Sequence, residues 1–80
     1  MTWNYRVIEF ISGEDRWRAI HEVFYNSAGK PTSYGERAAI VGWDVVNGDE
    51  SAVRILERMQ IALTLPVLSS ESDFCSSLSG

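Results

Sequence analysis

Arg16-Trp17-Arg18-Ala19-Ile20-His21-Glu22-Val23-Phe24-Tyr25 is the most regular stretch of the 80-residue chain. Trp17, Ala19, His21, Val23 and Tyr25 share one parity and Arg18, Ile20, Glu22 and Phe24 the other, the period of two that side chains follow along a β-strand. Directly after it, Asn26-Ser27-Ala28-Gly29-Lys30-Pro31 offers an acceptor side chain to start a turn, a glycine for a left-handed position and a proline to restart extended chain. A hairpin is implied, with the returning strand running from Thr32 to about Glu36. If Tyr25 faces Lys30, then Thr32 and Tyr34 lie beside Val23 and His21.

Upstream, Trp3 to Ile11 carries six apolar or aromatic side chains on both parities, the pattern of a strand with two partly apolar faces. Ser12-Gly13-Glu14-Asp15 suits the turn of a first hairpin. Downstream, Ala38-Ala39-Ile40-Val41 reads as strand or as irregular chain, interrupted by Gly42 ahead of Trp43-Asp44-Val45-Val46. Asn47-Gly48-Asp49-Glu50 then offers an asparagine cap with a glutamate three residues on. A helix is expected from Asn47 to Thr64, with Ala52, Ile55, Leu56, Met59 and Leu63 as its buried stripe. Leu65-Pro66 stops it, since the residue before a proline avoids helical geometry.

The expected fold is α+β: a three- or four-stranded antiparallel sheet followed by one C-terminal amphipathic helix, in the order β-β-β-α. Residues 1–68 form a single domain. From Ser69 to Gly80 there are six serines and two acids with no apolar periodicity, so burial offers little return on ordering entropy and a disordered tail over 69–80 is expected.

Charge narrows the partners. Seven bases against 11 acids give a net charge of -4, and without a basic cluster the counterion release that drives nucleic-acid binding has no source. Apolar runs of four or five residues fall far short of the roughly 20 that cross a bilayer, so no membrane span is expected. The start of the chain lacks the pattern of a secretion signal, and the one cysteine, Cys75, has no internal partner for a disulfide; together these point to the cytoplasm.

No motif points clearly to catalysis. His21, the only histidine, is the natural centre for general acid–base work, with Tyr34 and Glu36 as polar neighbours. A mid-strand ring satisfied by Tyr34 is the plainer reading. One histidine, one cysteine and scattered carboxylates match no zinc spacing, the glycines stand singly rather than in a phosphate-cradling loop, and Cys75 sits among serines and acids that disfavour a thiolate. No catalytic, cofactor-binding or metal-binding residue is assigned.

The sequence is more informative about association. One helix covers one face of a sheet, yet Ile8, Phe10, Ile20 and Phe24 oppose the Trp17–Val23 set in parity, so a second apolar face needs a cover. A homodimer or a protein partner would supply it, with Ile8, Phe10, Ile20, Phe24 and the off-stripe Ile61 as contact residues. The expected function is a non-catalytic interaction module. The alternatives are a small enzyme or ligand binder centred on His21, and an acidic inhibitor whose carboxylates imitate a nucleic-acid backbone.

Trp3-Asn4-Tyr5-Arg6-Val7-Ile8, Ile20-His21-Glu22-Val23-Phe24-Tyr25, Gly29-Lys30-Pro31 with Tyr34, and Leu56 to Met59 with Ala62-Leu63 and Pro66-Val67-Leu68 together resemble a widespread family of small bacterial proteins of uncharacterised function. The resemblance spans residues 3–68. It implies a cytoplasmic protein with a three-stranded sheet and a C-terminal helix, and it brings no catalytic residue. The apolar stretch from Ala38 to Asn47 and the serine-rich end depart from the family's pattern.

Overall fold

A computed structural model describes residues 2–74. Strands β1 (Thr2–Ser12), β2 (Asp15–Tyr25) and β3 (Pro31–Tyr34) are followed by a 3-10 turn (Val45–Asn47), helix α1 (Glu50–Ala62) and a short β4 (Leu68–Ser69). The sheet has the order β3-β2-β1-β4. The expected α+β class holds; the topology gains a strand, because the chain returns after the helix and β4 pairs parallel to β1. The sheet is therefore mixed, and an antiparallel arrangement describes only β1, β2 and β3.

The first hairpin closes through a two-residue connection between Ser12 and Asp15. Gly13 has φ 61° while Glu14 keeps a negative φ, the backbone of a type II′ turn whose twist matches that of the strands. The second hairpin is organised by Asn26. Its Oδ1 accepts from Ala28 N–H at 2.9 Å and Lys30 N–H at 3.0 Å, and Gly29 takes φ 78°. The register beyond differs from the sequence reading. Tyr34 pairs with Val23 and Ser33 with Phe24, but Pro31 pairs with Tyr25 across an irregularity. The extra residue, Thr32, uses its hydroxyl to hold Phe24 C=O at 3.2 Å, as a β-bulge allows.

Past β3 the chain stays along β2 for a few residues, with Gly35 N–H on Glu22 C=O and Ala39 N–H on Ile20 C=O, each 2.8 Å. No strand forms from Ala38 to Val46. The expected asparagine cap is also displaced: Asp44 accepts from Val46 N–H at 2.9 Å and caps the 3-10 turn, and the N-cap of α1 is Asp49 rather than Asn47, two residues later than expected. Asp49, just before α1, makes no cap bond; its carboxylate instead accepts from Trp43 Nε1 at 3.2 Å and ties the loop to the helix start.

Facing residues of β1 and β2 have numbers that sum to 27, as in Arg6 with His21 and Phe10 with Trp17. Even residues of β1 thus share a face with odd residues of β2. This corrects the parity grouping: Ile8 and Phe10 belong with Trp17, His21 and Val23, whereas Ile20 and Phe24 lie on the opposite face with Tyr5 and Val7. Two clusters follow, one on each face. Under α1, Tyr5, Met59 and Ala62 pack with Ile20, Ala39 and Ile55. On the other face Ile8 and Val23, both fully buried, pack with Phe74 and are flanked by Phe10, Tyr25, Tyr34 and Leu68.

Phe74 revises the expectation for the serine-rich segment. Ser69–Phe74 is ordered: Ser69 belongs to β4, Ser70 N–H donates to Glu9 C=O at 3.1 Å, and Ser69 Oγ accepts from Glu71 and Ser72 N–H at 3.2 Å. Asp73 Oδ2 accepts from Ser69 N–H. Serine side chains here act as local hydrogen-bonding groups for a tight turn, and the burial of Phe74 returns part of the ordering cost. Cys75 and the rest of the expected tail, 75–80, lie outside the described residues.

Candidate functional site

His21 was the first candidate for chemistry, and its surroundings are aromatic. The residue is 4% exposed, with Phe10 at 5.1 Å and Tyr34 at 5.5 Å between ring centroids. Phe10 continues to Trp17 at 5.6 Å, stacked, and Tyr34 to Phe74 at 4.8 Å, edge-on. In a flat sheet Phe10, which pairs with Trp17, would stand about 13 Å along the strand from His21; the close contact shows that the sheet curls toward this face. His21 Nδ1 lies 2.7 Å from Gly35 C=O, a contact that requires the proton on Nδ1. The ring thus satisfies the carbonyl just after β3 and pins that strand end to β2. Tyr34 meets it as a ring rather than through its hydroxyl, and Glu36, the other expected polar neighbour, is exposed with no bond to His21.

A polar group stands next along the same face. Tyr25 hydroxyl donates to Asn4 Oδ1 at 2.7 Å and accepts from Arg6 at 3.0 Å; Arg6 also donates to Pro66 C=O at 2.7 Å. Arg6 Nε is buried without a partner. The ion pairs sit elsewhere, where Glu9 meets Arg18 at 3.0 Å and Arg16 at 3.7 Å at the open end of the helix-side face. Among the described residues no three histidine, cysteine or carboxylate groups converge as metal ligands, and no helix is long and apolar enough to cross a membrane.

The five contact residues taken from the sequence are dispersed. Ile8 is fully enclosed; Phe10, Ile20 and Phe24 are half-buried, on two different faces; Ile61 is exposed on α1. A different apolar surface stands open. Leu56 and Leu63, expected in the core stripe, are 53% and 68% exposed. The other three expected stripe residues, Ala52, Ile55 and Met59, do turn inward, joined by Ala62. At 100° per residue, Val53, Leu56, Gln60 and Leu63 line the adjoining flank. The sequence carries two overlapping periodicities, and the large leucines belong to the one that faces outward. Beside Leu63 a groove of about 250 Å³ runs down to the sheet, lined by Val7, Ile20, Leu65 and Val67 among others. Ahead of the helix Ile40, Val45 and Val46 are each more than four-fifths exposed, so the 37–46 loop does not seal an apolar face; it adds to the exposed surface.

Compared with protein-family models, curated proteins and solved structures, the chain matches none.

Proposed function

We propose that the protein is a non-catalytic interaction module that associates with a second copy or another protein through the apolar flank of α1. The observation that supports this reading most is the outward set Val53, Leu56 and Leu63, on a helix whose inward positions are already filled by Ala52, Met59 and Ala62. An apolar flank continuous with a groove at Leu63 loses solvent exposure only by meeting another surface, and a surface of this kind marks association sites. α1 and Phe74 cover the centres of the two sheet faces from within the chain, which favours the helix flank over the sheet as the contact. His21 serves the fold in this reading, through its bond to Gly35.

Light scattering on the intact chain tests the proposal, with the Leu56→Asp, Leu63→Asp double variant beside it. The wild type is expected to exceed its 9.0 kDa monomer mass at high concentration or to bind a hydrophobic dye, and the double variant to do neither while keeping its circular dichroism. A wild-type monomer at high concentration that binds no dye contradicts the proposal.

A further inference from the structure

β1 is paired along its inner side over its whole length, but on its outer side β4 reaches only Ile8 and Glu9. The bond from Ser70 N–H to Glu9 C=O shows that odd residues of β1 turn their backbone groups outward, since N–H and C=O of one residue leave a strand on the same side. Trp3 and Tyr5 therefore aim both groups at the open side, and no backbone hydrogen bond from a described residue reaches them there. Strand edges are commonly protected by lysine, proline or a bulge. Thr2 to Arg6 has no lysine, proline or bulge, and its one charged residue, Arg6, turns its side chain back onto Tyr25 and Pro66.

A cleft of about 190 Å³ adjoins this edge, lined by Asn4, Tyr5, Arg58, Ile61 and Leu65. Tyr5 with Arg58, Ile61 and Leu65 places this cleft on the helix side of β1, next to the unpaired backbone of Trp3 and Tyr5. Its wall is largely apolar and its rim cationic. The Arg58 guanidinium lies 4.6 Å from the Trp3 ring centroid and 5.3 Å from that of Tyr5. Arg6, on the same edge, is held only by neutral acceptors. Neither arginine has a carboxylate within ion-pair distance among the described residues, although the chain holds 11 acids. A guanidinium on an apolar wall without a counterion favours an incoming carboxylate.

We infer that the outer edge of β1 from Thr2 to Arg6 accepts an extended acidic peptide segment of another protein as an added strand. An apolar side chain enters the Tyr5–Ile61–Leu65 cleft and a carboxylate meets Arg58. Main-chain bonds to Trp3 and Tyr5 supply affinity, and the cleft and the arginine supply selectivity, as in strand addition generally. A second copy fits this edge poorly, because edge-to-edge pairing brings like-charged arginines of the two copies together. The surface is distinct from the flank of α1, and the inference stands without it.

The test titrates a capped extended peptide that carries valine and glutamate two residues apart, on one face of a strand with threonine between them, into the full chain labelled with nitrogen-15, beside the same peptide carrying lysine for glutamate. The Trp3 and Tyr5 amides shift and exchange more slowly with the glutamate peptide, the lysine peptide binds about tenfold more weakly or worse, and Arg58→Glu reverses that order. If the Trp3 and Tyr5 amides ignore the glutamate peptide at millimolar concentration, or the two peptides bind equally, the inference is overturned. Protection of those amides in the peptide-free protein, at the mass of a dimer, also overturns it by giving the edge to a second copy. Should Arg58→Glu not fold, the two peptides on the wild-type chain still decide. Leu56→Asp leaves peptide binding unchanged.

Discussion

Two aromatic residues and one glycine carry more of this fold than their neighbours suggest. Phe74 is buried against Ile8, Val23 and Tyr34, and truncating a buried phenylalanine costs about 3 kcal/mol through lost transfer energy and the cavity left behind. Phe74→Ala is therefore expected to lower the urea midpoint by that equivalent; a change under about 0.5 kcal/mol, the scale of a surface substitution, would mean that the serine-rich segment is not part of the core. His21→Phe keeps a ring between Phe10 and Tyr34 but leaves Gly35 C=O without its donor. A loss of about 1–3 kcal/mol is expected, and an unchanged midpoint would show that the hydrogen bond contributes nothing net. At Gly29 an added Cβ would meet nothing within 4 Å, so Gly29→Ala reports only the cost of φ 78°. That cost is about 1 kcal/mol, readable in the same unfolding experiment.

Strand periodicity was legible where one parity is polar enough to be distinguished, as in β2, and both hairpins followed from their turn residues. Facing was not legible, because it depends on register across the hairpin rather than on parity within a strand: the II′ turn at Gly13 fixes the sum of facing numbers and pairs even with odd. Bulging at Thr32 was likewise hidden, since nothing in Pro31-Thr32-Ser33-Tyr34 distinguishes a paired threonine from one turned back on Phe24 C=O. Helix α1 was readable in existence and at Ala52, Ile55 and Met59, but the limits of its buried stripe were not. Alanines at 52 and 62 define the close approach to the sheet, while the larger leucines fit the flank, a case where side-chain size and not hydropathy decides which stripe turns inward. At this scale Asn26→Ala removes the acceptor for two backbone donors in the second hairpin. A cost of about 1 kcal/mol is expected, with faster hydrogen exchange confined to β3 and the adjoining end of β2; faster exchange throughout β1 as well would show that the hairpin does not open as a local unit.

Taken whole, the molecule covers its curled sheet twice, with α1 on one face and Phe74 with its ring neighbours on the other. The tally of apolar side chains in the sequence did signal more surface than one helix can cover. It misplaced that surface, because β4 and the ordered part of the serine-rich segment were invisible to a reading by composition. What stays open includes the flank of α1, the loop before it, and the edge and outer end of the sheet at Trp3, Ile11 and Trp17. The most direct test of this account is the attenuation of methyl NMR signals by an inert soluble nitroxide, measured at low and high protein concentration. Ile8 is expected to be shielded at both, whereas Val53, Leu56 and Leu63 are strongly attenuated when dilute and, where a second copy is the occupant, become shielded when concentrated. Val53, Leu56 and Leu63 methyls shielded as well as Ile8 in the dilute protein, or an Ile8 methyl open to the probe, would contradict it.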